Sequence, residues 1–124
     1  MSKKIFMDAF FTQFHAFLGE LGRVFPADED FPAYDTALTL MQRMNPVLVL
    51  SEFTKHVIPF ETMIREKNTD FFLKHDFSEF DPDNTMDPII KKLKGYWESM
   101  SEANKDAIWK YILLLVDISK RCAY

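Results

Sequence analysis

Phe6-Met7-Asp8-Ala9-Phe10-Phe11-Thr12-Gln13-Phe14-His15-Ala16-Phe17-Leu18-Gly19-Glu20-Leu21 is the stretch on which the fold turns. Stepped at about 100° per residue, positions 6, 7, 10, 11, 14, 17, 18, 21, 24 and 25 fall in an arc of roughly 140°. Each of them is Phe, Met, Leu or Val, while Asp8, Thr12, Gly19, Glu20 and Arg23 take the other side. An arc this wide belongs to a helix set into a globular core, because a coiled-coil seam is narrower. The spacing predicts a helix over 3–23.

The pattern continues outward from there. Val24 to Pro32 reads as a loop in which two Phe-Pro pairs bracket three acids. Each Pro favours an extended conformation for the Phe before it. Residues 33–44 read as a helix with Tyr34, Leu38 and Met41 on one side. Asn45-Pro46 ends it and opens the next, Asn as N-cap and Pro at the first helical position. Residues 46–57 read as helix despite the apolar run Val47-Leu48-Val49-Leu50, and Pro59 is expected to break it. A short piece follows over 60–66, and Asn68-Thr69-Asp70 caps another that holds Phe71, Phe72 and Leu73. Asp87-Pro88 opens a helix to about Met100, and Ser101 caps the last one, 102–122.

That last helix is apolar nearly all round. Ala103, Ala107, Ile108, Tyr111, Ile112, Leu115, Ile118 and Cys122 make one face, and Trp109, Leu113 and Val116 make a second. A helix of this kind lies at the centre of its domain or has a second partner. The expected architecture is all-α: a compact single-domain bundle of five to seven helices spanning 1–124, its long N- and C-terminal helices packed together.

Composition narrows the functions. The net charge of −4 and pI of about 5.3 give no general attraction to nucleic acid or anionic lipid. The single cysteine, Cys122, allows neither an intrachain disulfide nor a cysteine zinc site and points to a reducing, intracellular setting. The start, Met1-Ser2-Lys3-Lys4, does not continue as a signal peptide. The longest apolar run, Tyr111 to Val116, is far below the ~18–20 residues that span a bilayer. A soluble protein without membrane association is expected.

Motifs for chemistry are missing. Di-iron bundles use Glu-x-x-His pairs, but the residues three before His15, His56 and His75 are Thr12, Phe53 and Phe72. A calcium loop begun at Asp81 continues through Asp83 and Thr85, then has Met86 where Gly and Lys92 where Glu is required. No Gly-x-Ser-x-Gly occurs, and Gly19, Gly22 and Gly95 form no phosphate loop. His15, beside the apolar arc, reads as a structural histidine. No catalytic residue, metal or cofactor is expected.

Two surfaces remain as candidates. Lys91, Lys92 and Lys94 near Trp97 mix bases with aromatics, the pattern of a nucleic-acid face around residues 91–110. Acids 81–87 just before them count against it. The stripe Trp109, Leu113, Val116 is a candidate protein interface, since Trp is enriched at such sites; burial at the centre of the domain fits the same stripe. Phe77 and Phe80, set among acids in 76–83, are candidate partner contacts or loop anchors.

The run Tyr96-Trp97-Glu98-Ser99-Met100-Ser101-Glu102-Ala103-Asn104-Lys105, followed by Ile108-Trp109-Lys110-Tyr111-Ile112, resembles the C-terminal part of small helical proteins encoded by large DNA viruses of algae and protists. Phe71-Phe72-Leu73 and the Phe-Pro-acid turn at 25–28 look similar too. The resemblance implies a viral context, in host cytoplasm or virion, and no mechanism. The leading expectation is a non-enzymatic protein-protein interaction or structural accessory factor that self-associates. Nucleic-acid association through 91–110 and a small-molecule-binding helical protein are the alternatives.

Overall fold

The computed structural model of the protein describes residues 2–75 and 87–122. The described chain is all-α, with helices α1 (Ser2–Val24), α2 (Asp30–Met44), α3 (Pro46–Val57), α4 (Glu61–Arg65), α5 (Thr69–Lys74), α6 (Asp87–Tyr96) and α7 (Glu102–Arg121). The first and last are the longest, at 23 and 20 residues, as their apolar periodicity predicts.

Local signals place the boundaries. The Asn45 side chain accepts from Leu48 N–H at 3.1 Å, and Pro46 occupies the first turn of α3. Asn68 caps Phe71 N–H and Ser101 caps Asn104 N–H in the same way. At Pro59 the helix gives way to a 3-10 turn, Ile58–Phe60. The α6 pattern also ends early, in a 3-10 turn at Trp97–Ser99, instead of running to Met100.

The start of α2 also differs from the reading of the sequence. Phe31 and Pro32 lie inside the first turn of α2, not in the preceding loop. A proline there costs no hydrogen bond, because N–H groups of the first turn have no partner within the helix. Burial of Phe31, which is fully enclosed, offsets the conformational preference of a residue before proline.

α1 and α7 make the most extensive helix pair. They run antiparallel, since Phe17 meets Tyr111 while Phe6 lies under the Arg121 guanidinium. α2 lies along α1 in the opposite direction, Phe31 beside Gly22 and Gln42 beside His15. Phe10, Phe11, Phe14, Phe17, Leu18 and Leu21 of α1 are all buried. Phe10 touches Phe53 of α3 edge-on, with ring centroids 5.0 Å apart, so the broad face of α1 meets α3 as well as α7. No helix among the described residues is long and apolar enough to cross a membrane.

Candidate functional site

The second face of α7 is core. Trp109 is 4 % exposed and Val116 is fully buried, with Leu113 packed beside them at the edge of the core. Trp109 stands edge-on to Trp97 at 5.5 Å and to Phe72 at 6.1 Å. Of the two readings of the stripe Trp109, Leu113 and Val116, burial describes Trp109 and Val116, with Leu113 partly buried: α1 covers one side of α7, while α3, α4 and the Phe72–Trp97 pair cover another.

The basic-aromatic segment is likewise engaged within the chain. Trp97 is 2 % exposed, so its ring presents no face for base stacking. Lys92 pairs with Asp28 at 2.9 Å and Asp30 at 2.7 Å. Lys94 donates to the His75 carbonyl, and Lys91 is exposed. Tyr96 completes a clasp between the 25–30 turn and α6: its hydroxyl donates to Asp28 at 2.6 Å while its ring stacks on Phe25 at 4.1 Å. Hydrogen bonds from Tyr96 and then Lys92 hold the Asp28 carboxyl at about 2, and contacts with Asp30 and Asp28 push the Lys92 ammonium up. Phe77 and Phe80 lie outside the described residues.

Other titratable groups are tied into the scaffold. His15 bridges α1 to α2, with Nδ1 2.6 Å from Asp35 and Nε2 2.9 Å from Gln42. Burial alone would lower its pKa, but the hydrogen bonds to Asp35 and Gln42 outweigh this and raise it. Glu61 joins Arg65 and Lys120, fastening α4 to α7, and its carboxyl is lowered by the hydrogen bonds from Arg65 and Lys120. Burial pushes the Cys122 thiol up, which suits packing and not nucleophilic attack. Among the described residues, no group of three or more His, Cys, Asp or Glu is placed to hold a metal.

What the fold does leave outside is a cluster of large apolar side chains at the α2–α3 corner. Met44 is 84 % exposed, and Leu40, Val47 and Leu48 are each about half exposed. Leu40 and Met44 share one face of α2, four residues apart. Val47 and Leu48 open α3 directly across Asn45-Pro46. Beside them a groove of about 470 Å3 runs between α3 and the end of α7, lined by Val47, Leu50, Ile58 and Cys122 and also by the polar Ser51, Thr54, Lys55, Ser119 and Lys120. Arg43 is the one charged residue between Leu40 and Leu48.

Two sequence signals mark this corner. Met44 falls off the Tyr34, Leu38, Met41 stripe of α2. The four consecutive apolar residues 47–50 spread over some 300° of a helix at about 100° each, so a single neighbour cannot cover them all. Val49 and Leu50 turn inward, leaving Val47 and Leu48 in solvent. Neither family models, nor characterised proteins, nor solved structures give a match to this chain.

Proposed function

We propose that this chain is a non-enzymatic interaction protein, structural or accessory in role, that self-associates through the α2–α3 corner. The observation that carries the reading is the exposure of Leu40, Met44, Val47 and Leu48 at one turn of the chain. Clustered exposed apolar surface costs solubility and marks interaction sites in folded proteins. A second copy is the occupant that suits it. The surface offers both an exposed apolar side chain, Met44, and, starting at Val47, a groove whose apolar wall of Leu50, Ile58 and Cys122 is shared with Lys55 and Lys120. A two-fold contact needs such a self-complementary pair, each copy inserting into the other. Across 40–48 only Arg43 is charged, so the turn itself brings little like-charge repulsion to a two-fold contact.

The non-enzymatic part is supported by the way the polar groups are used. Both nitrogens of His15 hold α2 to α1, and Cys122 is enclosed. The resemblance of the 96–112 run to small viral helical proteins supports a virus-encoded factor acting in host cytoplasm or virion. Light scattering coupled to size exclusion, run over a hundredfold range of concentration, tests the association. A mass that rises from one to two copies is expected, and a constant monomer mass would overturn the reading.

A further inference from the structure

The groove between α3 and the end of α7 carries a cation that no acid of the described chain neutralises. Two ammonium groups border it, those of Lys55 and Lys120, and no carboxylate among the described residues lines it. Lys120 is held by both oxygens of Glu61. Lys55 is exposed and has no acid within ion-pair distance among the described residues, since Glu52, three residues before it, is turned to His56. Beside this charge runs an apolar line. Val47, Thr54 and Ile58 follow one another along α3 and into the turn after it, with Ser51 between them at helical spacing. At 1.5 Å per residue the line is roughly 16 Å long. Val47 and Ile58 keep part of their surface in water, while Leu50 and Cys122 are enclosed. The volume of about 470 Å3 is that of a small-molecule site.

We infer that this groove binds a medium-chain fatty acid, its carboxylate at the exposed Lys55 ammonium and its tail along Val47, Thr54 and Ile58. One uncommitted ammonium matches one negative charge, and an amphiphile with a cationic head would be repelled by Lys55. No aromatic side chain lines the groove, so a nucleobase or other flat ring finds no stacking surface, and an aliphatic body suits it better. The tail provides most of the affinity, because each methylene taken out of water adds hydrophobic stabilisation whereas an exposed ion pair adds little. The charge then selects among ligands with the same tail. The groove begins at Val47, in the proposed contact between copies, so a bound fatty acid opposes self-association. This last consequence rests on the function proposed above; the binding itself does not.

The test is an NMR titration of the full chain with octanoate, butanoate and octylammonium. It reads the Val47, Leu50 and Ile58 methyl signals, with those of Leu38 in the core as reference. Octanoate is expected to saturate in the millimolar range, about tenfold tighter than butanoate, and to move the groove methyls while Leu38 stays in place. Octylammonium should bind about fivefold more weakly than octanoate. In Lys55→Met that preference should fall by about threefold to fivefold, the measure of one exposed ion pair. The wild-type comparison of the two head groups decides the matter should the variant not fold. Equal binding of octanoate and octylammonium, affinity independent of tail length, or groove methyls unmoved by octanoate would each overturn the assignment. In sedimentation velocity, saturating octanoate should return the dimer to monomer. A dimer that persists with octanoate bound overturns the competition, and a chain that is monomeric throughout yet binds octanoate in the groove supports the site and overturns self-association alone.

Discussion

α7 and the α2–α3 corner are built from the same kinds of residue and meet opposite fates. Trp109, Leu115 and Val116 of α7 are buried, whereas Leu40, Met44, Val47 and Leu48 at the corner stand in solvent. The cause is neighbourhood and not composition. α7 has α1 along one side and α3 and α4 along another, and only the face that carries Asp106, Lys110, Leu114 and Asp117 is left exposed. At Asn45-Pro46 the chain turns at an edge of the bundle, and only the inward directions of α2 and α3 meet other helices. Apolar periodicity reports which sides of a helix avoid water, but a second element has to arrive before that side becomes core.

The comparison can be broken most forcefully at Trp109. Replacement by Ala removes a ring held edge-on to Trp97 and Phe72. Urea unfolding should report a loss of about 3–5 kcal/mol. A loss below about 0.5 kcal/mol, the range of surface substitutions, would place Trp109 outside the core and restore the α7 stripe as an interface.

At the corner the expected signature is reversed. The double change Met44→Glu and Leu48→Glu should leave unfolding stability within roughly 0.5 kcal/mol per site. Self-association should weaken by about tenfold or more, since four new charges meet across a two-fold contact. Asn45→Ala comes next in size. It removes the cap on Leu48 N–H and should cost about 1 kcal/mol, read in thermal or urea unfolding, by fraying the turn that displays the patch.

The smallest effect concerns how α2 is fastened away from the corner. His15 has a raised pKa in the folded chain, so its bonds to Asp35 and Gln42 stabilise fully below its unfolded value of about 6.5. That contribution is lost as pH rises through the raised folded value. His15→Ala should therefore cost up to about 1 kcal/mol at pH 5, a modest figure because both partners are partly exposed, and clearly less at pH 8.5. Equal losses at the two pH values would show that packing, not the charged hydrogen bonds, carries the role of His15.

Much of the fold was legible in the residues. The ten-position arc of α1, the caps at Asn45, Asn68 and Ser101, and the break at Pro59 are local signals, set by periodicity and by unpaired N–H groups. Phe31 was misread because the bias of a residue before proline is weaker than burial of a whole aromatic side chain. The candidate sites were less legible, because exposure is a tertiary property. Trp109 and Met44 both lie off the main stripes of their helices, and nothing in the spacing says that one is covered and the other is not.

Sedimentation velocity on the wild-type chain and the Met44→Glu, Leu48→Glu double variant, with circular dichroism on both, tests the central claim most directly. The wild type should move from monomer to dimer as concentration rises, while the variant stays monomeric with an unchanged helical spectrum. A wild type that remains monomeric throughout, or a variant that dimerises as readily as the wild type, would contradict the assignment of the α2–α3 corner as the interacting surface.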